Sequence, residues 1–193
     1  ANFRRLNAGM GFVGDTVYLF GGATYLGHTN DVFALDVLTL VWTKVLPKDA
    51  PGAPPTPRIF FSFAMSASDQ KLYVYGGNSD ALANQFNIDS AMSRDDLREL
   101  DLPTRTWTSL TNPSSAAAGG GGSASPSPRA ESSLTAVNSS MYLFGGSDEG
   151  ATGAGTAFFD DLFLLDPRRL EWTQLTNLTG GPAPRARHAA AAA

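Results

Sequence analysis

Metal or nucleophilic chemistry needs histidine, cysteine, tyrosine or carboxylate groups brought close together, and this sequence supplies few of them. It holds two histidines, His28 and His188, and no cysteine among 193 residues. That removes disulfides, thiolate metal ligands and a cysteine nucleophile, and it fits a reducing compartment. No Asp/Glu/His run has metal-ligand spacing, and neither a Ser/His/Asp set nor a nucleophile elbow is present. Gly119 to Gly122 have the composition of a phosphate-cradling loop, but no Lys-Ser/Thr follows them. Ser125-Pro126 and Ser127-Pro128 have the form of proline-directed phosphorylation sites. Asn138-Ser139-Ser140 and Asn177-Leu178-Thr179 have the form of glycosylation triplets, a form that arises often by chance. The net charge of -4, from 14 basic and 18 acidic residues with no block of either sign, argues against a nucleic-acid face and a polybasic membrane segment. No apolar run approaches the roughly 20 residues of a membrane helix, and no signal-peptide pattern opens the chain. Little chemistry is visible. The informative residues are those that repeat.

Three hexapeptides, DVFALD (31–36), DLRELD (96–101) and DLFLLD (161–166), are each followed six positions later by a tryptophan: Trp42, Trp107 and Trp172. Upstream lie VYLFGG (17–22), LYVYGG (72–77) and MYLFGG (141–146), alternating apolar and aromatic runs that end in a glycine pair. Such runs read as strands closed by a forced turn. Upstream again, a block opens with an arginine: Arg5 to Val13, Arg58 to Ala67 and Arg129 to Val137. A further copy begins at Pro184-Arg185. Each unit therefore reads as four short antiparallel strands: A after the arginine, B ending in Gly-Gly, C between two aspartates, and D carrying the tryptophan. Only 86–95 has a pattern that suits a helical turn. The fold class is all-β.

This combination resembles the Kelch repeat, which implies a β-propeller with one four-stranded antiparallel blade per repeat. The blades fall at about 5–45, 58–110 and 129–175, with the start of a fourth at 185–193. Three blades and a start cannot close a ring, so the sequence reads as a fragment of a propeller of six or seven repeats. Within that frame Gly21, Gly22, Gly76, Gly77, Gly145 and Gly146 are expected to supply positive φ or close approach between blades. Trp42, Trp107 and Trp172 are expected to fill the space between blades, and Tyr18, Tyr73 and Tyr142 to face the core. Asp36, Asp101 and Asp166 are expected to cap the C–D turns. Arg58, Arg129 and Arg185 are expected to tie one blade to the next, or alternatively to line the central channel.

Loop lengths point to a functional face. The A–B and C–D turns are short, whereas the B–C loops (23–30, 78–95, 147–160) and the inter-blade connections (46–57, 111–128, 176–184) are long and leave from the opposite end. Variable loops on a rigid scaffold are where binding residues collect. Tyr25 and His28 on the first B–C loop, and Phe86, Ile88, Met92 and Arg94 on the second, are the expected protein-binding residues. Residues 111–128, rich in Ser, Ala, Gly and Pro, read as a mobile connection. The expected function is a non-catalytic scaffold with protein partners, inside a multi-protein cytoskeletal, ciliary or trafficking assembly, with no cofactor, no metal and no nucleic acid. The expected location is intracellular. The runner-up is a metalloenzyme resembling galactose oxidase, with its ligands on blades outside this sequence. A third possibility uses the outer strand edges as docking sites.

Overall fold

The computed structural model describes residues 4–46, 51–79, 92–93 (backbone only), 95–110, 125–148, 156–176 and 179–191. Among them there is no helix. The first blade is the sheet β1 (Gly9–Val13), β2 (Thr16–Phe20), β5 (Val32–Asp36), β6 (Val41–Leu46), antiparallel throughout. Between β2 and β5 sits the small hairpin β3 (Ala23–Thr24) and β4 (Gly27–His28). The second blade is β7 (Ser62–Ser66), β8 (Lys71–Tyr75), β11 (Leu97–Asp101), β12 (Thr106–Ser109), with a hairpin of β9 (Asn78–Ser79) and β10 (Met92–Ser93). The third is β13 (Ser133–Val137), β14 (Ser140–Phe144), β15 (Leu162–Asp166), β16 (Glu171–Leu175). The four strands expected of each repeat are all present. At 86–95 the expected helical turn is not what forms around Met92, which pairs antiparallel with Ser79; 86–91 and 94 lie outside the described residues.

The C–D turns form because an aspartate carboxylate can replace the missing strand partners of the turn's N–H groups. Asp36 Oδ1 accepts from the N–H groups of Leu38 and Thr39, both at 2.9 Å. Asp101 Oδ1 accepts from Thr104 N–H at 2.8 Å and its hydroxyl at 2.6 Å, and Asp166 Oδ1 from Arg168 and Arg169. These bonds hold the Asp36 carboxyl below its ordinary range, Thr39 N–H contributing most, and that of Asp101 likewise, through the Thr104 hydroxyl first. Each turn then closes through a left-handed residue four places on: Leu40, Arg105 and Leu170.

The second sheet buries one face against the first and the other against the third, so blades meet side by side. Trp107 of the second blade lies 5.5 Å from the ring of Phe20 in the first, within a cluster holding Val32, Leu72, Val74 and Leu100. Trp172 of the third lies 5.5 Å from Tyr75 of the second, in a cluster with Leu97, Leu134, Leu143 and Leu165. Burying an aromatic side chain of this size stabilises by about 2–3 kcal/mol. Trp107 and Trp172 are buried, as is Tyr73, but Trp42, Tyr18 and Tyr142 are only half-buried. The first strands β1, β7 and β13 pack on one another in turn, which places them innermost and β6, β12 and β16 outermost.

The outer edge of β12 is not free. Pro51 O accepts from Trp107 N–H at 3.1 Å and Ala53 N–H donates to Trp107 O at 3.0 Å, so the connection entering the second blade runs parallel to β12. Gly52, at φ 92°, makes the pairing possible; a Cβ there would sit 1.9 Å from Trp107 O. On this blade the chain itself occupies the edge expected to be open to a partner strand. The connection 111–128 also differs from expectation at its end. Pro126 is buried, and the Tyr75 hydroxyl donates to Pro126 O at 3.1 Å; 111–124 lie outside the described residues.

Candidate functional site

The long-loop end is built on one repeated latch. The Arg58 guanidinium donates to Gly76 O at 2.8 Å and holds Asp96 through two bonds of 2.7 and 3.0 Å, while its Nε donates to Thr56 O at 3.1 Å. Arg129 does the same with Gly145 O at 3.0 Å, Asp161 at 2.6 and 3.0 Å, and Ser127 O at 3.1 Å. Arg5 reaches Gly21 O at 2.9 Å and Asp31 at 2.8 Å. Arg58 and Arg129 are buried to 1% exposure, which only a paired and hydrogen-bonded cation tolerates. Burial works to raise the Asp96 pKa, but the bonds and charge of Arg58 and Arg98 outweigh it and hold the carboxyl below its usual range. The side chains thus act within their own blades. The tie between blades is carried by the arginine backbone: Gly22, Gly77 and Gly146 N–H groups donate to the carbonyls of Arg58, Arg129 and Arg185 in the next repeat, at 3.2, 3.0 and 2.8 Å.

The glycine pair satisfies this geometry because both members hold positive φ, 62° and 89° at Gly21-Gly22, and its second member lies against its own blade's backbone. A Cβ on Gly77 would meet Ile59 O at 2.7 Å, and one on Gly146 would meet Ala130 O at 2.7 Å. From the pair the chain turns back to form a second, small sheet over the end of each blade. Leu6, Ala23 and His28 align in the first blade, Ile59, Asn78 and Ser93 in the second, and Ala130, Ser147 and Phe158 in the third. The long loops that sequence presented as irregular therefore rise from a repeated three-stranded base.

Two residues after each arginine stands a left-handed residue that is not glycine: Asn7 (φ 52°), Phe60 (57°), Glu131 (61°) and Arg187 (60°). Such backbone is costly for bulky side chains and concentrates at functional sites. The last three are linked in series, Glu131 N–H donating to Phe60 O at 2.7 Å and Arg187 N–H to Glu131 O at 3.0 Å. They enter the innermost strands at the long-loop end. The buried carboxylate of Glu131 pairs with Arg187 Nε at 2.5 Å, and that guanidinium lies 5.6 Å from the Phe60 ring centre while staying 74% exposed. The result is a cation fixed on one side and open to solvent on the other. Sequence reasoning missed this set because the four side chains share no chemistry.

Of the residues expected to bind, Tyr25 stands at the tip of the β3–β4 hairpin, 71% exposed beside Leu26. His28 is half-buried on β4, with Nδ1 shielded and without a hydrogen-bond partner. The Met92 backbone lies on β10, and Phe86, Ile88 and Arg94 lie outside the described residues. His188 is structural in its geometry: Nε2 sits 2.9 Å from Ser133 Oγ and the ring lies edge-on to Phe144. Burial, then the Arg185 charge, pull its pKa below the usual histidine value. Among the described residues no group of three or more His, Asp or Glu is placed to hold a metal, and no helix is long and apolar enough to cross a membrane.

A family model described as the KLHDC2/KLHL20/DRC7 Kelch-repeats domain matches residues 7–193. The chain belongs to the Kelch-repeat family. Members of this family commonly mediate protein–protein interactions. Kelch domain-containing protein 3 of Bos taurus is 29% identical over 177 residues, which cover 91% of the chain and 41% of that relative. Host cell factor homolog hcf-1 of Caenorhabditis elegans is 31% identical over 189 residues, 91% of the chain and 22% of the relative. Acyl-CoA-binding domain-containing protein 6 of Oryza sativa subsp. japonica is 27% identical over 187 residues, 97% of the chain and 26% of the relative. The chain thus spans well under half the length of these relatives. The open-ended stack of blades is a Kelch propeller whose ring is not closed within these residues.

Proposed function

We propose that this chain is a non-catalytic scaffold that binds partner proteins at the long-loop end of its propeller, within a larger assembly. One observation carries the reading. Four repeats hold the same strained backbone at Asn7, Phe60, Glu131 and Arg187, yet present four different side chains there. A strained position kept for packing alone would favour glycine; here Asn7 and Arg187 are exposed and Phe60 half-buried, with the buried Glu131 bracing Arg187, an arrangement that suits recognition. The open side of the Arg187 guanidinium accepts a hydrogen-bond acceptor from a partner, Phe60 offers an aromatic surface, and Tyr25 provides an exposed anchor farther out. The scaffold works inside the cell, in cytoskeletal, ciliary or trafficking complexes.

The test is affinity capture with the full-length protein from its native source, read by quantitative mass spectrometry beside a metal assay. Phe60→Ala, Arg187→Ala and Tyr25→Ala are each expected to lose stoichiometric partners at least tenfold while the far-UV spectrum stays unchanged. Partners retained by all three variants would sink the proposed face. One tightly bound copper or iron per chain would sink the non-catalytic reading.

A further inference from the structure

We infer that Ser127 is a phosphorylation site for a proline-directed kinase, that Thr56 is its counterpart one blade earlier, and that the phosphate releases the arginine latch. The two residues stand at the same place in the repeat, in Thr56-Pro57-Arg58 and Ser127-Pro128-Arg129. Both are exposed, on the connections that enter the second and third blades. A proline at the next position keeps the residue before it extended and brings no N–H of its own, which leaves the hydroxyl on a strand-like backbone that a kinase can grip. Among the described residues the Ser127 backbone is held through its carbonyl, which accepts from the Tyr75 hydroxyl at 3.3 Å and from Arg129 Nε at 3.1 Å. Burial separates this serine from the other Ser-Pro pair of the same connection. Ser125 is half-buried and Pro126 is buried, whereas Ser127 and Pro128 are both exposed.

The surroundings of the hydroxyl supply the consequence. Arg129 Nη2 donates to Ser127 Oγ at 3.1 Å and to Asp161 Oδ2 at 3.0 Å. Arg58 Nη2 divides itself likewise between Thr56 Oγ1 at 3.3 Å and Asp96 Oδ2 at 3.0 Å. Hydroxyl and carboxylate thus share one nitrogen of a buried cation. Arg185 makes the matching Nε bond to Ala183 O at 3.0 Å with no hydroxyl beside it, so that bond does not need one. In the modification Ser127 Oγ attacks the γ-phosphorus of ATP held by the kinase. The Oγ–P bond forms, the P–O bond to ADP breaks, and the hydroxyl proton passes to the kinase's base. A phosphoserine carries about two negative charges near pH 7 and several acceptor oxygens, against the single charge of Asp161. It takes the guanidinium hydrogens and repels the carboxylate across the shared nitrogen. Asp161 immediately precedes β15, and its carbonyl accepts from Gly145 N–H at 3.2 Å, so losing the grip on Arg129 loosens the entry to that strand.

The experiment maps phosphopeptides of the full-length protein from its native source, and again after the folded protein is treated with a purified proline-directed kinase and ATP. Phosphate is expected on Ser127 and Thr56, with Ser125 taking at least tenfold less. Absence of phosphate from Ser127 in the native protein overturns the inference, and so does incorporation by the kinase only after heat denaturation. Absence at Thr56 alone overturns its extension to the second blade. Hydrogen exchange then tests the release. Backbone amides of residues 161–163 are expected to exchange at least tenfold faster in the phosphorylated protein, while those of β2 stay unchanged. Ser127→Ala, treated identically, is expected to show no change at 161–163. Equal or slower exchange on phosphorylation overturns the release, as does faster exchange that Ser127→Ala also shows.

Discussion

The two complete seams between blades are built differently. The first is apolar and aromatic: Phe20 meets Phe61 edge-on at 5.1 Å and Trp107 at 5.5 Å, and Phe63 and Met65 enter glycine hollows. The second carries polar bonds as well. Ser62 Oγ donates to Ser132 O at 2.8 Å and Arg168 of the third blade reaches Asp69 of the second at 3.2 Å, while on the second blade's own surface at this seam Lys71 Nζ donates to Glu99 at 2.7 Å. Burial first, and then the nearby Glu99 charge, push the Tyr73 hydroxyl pKa up. A cleft of about 400 Å³ opens among these groups. The same repeat thus supports two kinds of joint. Apolar joints draw strength from area and fit, and polar ones add a required register.

Mutations break this comparison in graded steps. Trp107→Ala is expected to have the largest effect, about 3–5 kcal/mol in a urea melt, because the cavity it leaves is ringed by side chains that cannot collapse. Glu99→Ala removes the partner of the partly buried Lys71 ammonium and is expected to cost about 1–3 kcal/mol. Replacing both partners, Lys71→Met with Glu99→Leu, is expected to recover most of that loss. A double variant no better than Glu99→Ala would mean that the second seam depends on its charges for strength as well as register.

Acid sharpens the contrast. Asp69 is held below its ordinary pKa, by the Ser66 hydroxyl first and by Arg168 later, and Asp96 is held low by Arg58 and Arg98 against the effect of burial. A carboxylate with a lowered folded pKa binds its proton more readily when unfolded, so its stabilisation is complete above the ordinary carboxylate range. It is lost as pH falls through the folded value. His188, lowered by burial, has the same sign one step higher, and its contribution fades as pH drops below the unfolded histidine range. The expected melting curve declines in two stages on acidification, and His188→Ala is expected to remove the first. A single carboxylate stage in the unmodified protein would contradict this. Smallest is Arg168→Ala, expected at under about 1 kcal/mol and vanishing in high salt, since the guanidinium is mostly in solvent.

Much of this architecture was legible in the sequence, and for a physical reason. Strand alternation, the glycine pair, the turn aspartates and the tryptophans act through their own side chains or the lack of one. What sequence left open were roles set by distant partners. The two aspartates bounding each hexapeptide look alike, yet Asp36, Asp101 and Asp166 cap turns while Asp31, Asp96 and Asp161 grip arginines some 26 to 38 residues earlier. The arginine was expected to join blades, and it does so through its carbonyl, a group that residue type does not announce. Gly52 looked like linker, and only the parallel course along β12 gives it a purpose. The candidate site was the least legible part, because its position is marked by backbone shape and not by a shared side chain.

That last property has a consequence for how such a protein changes over time. At the second place after each arginine the fold imposes the backbone angle and leaves the side chain unspecified, so asparagine, phenylalanine, glutamate and arginine all stand on it. Shape is inherited there separately from chemistry. If this rim is the binding face proposed above, a single codon would alter what it recognises while the latch, the glycine turn and the seams beneath it stay as they were, and each repeat offers another such place to vary.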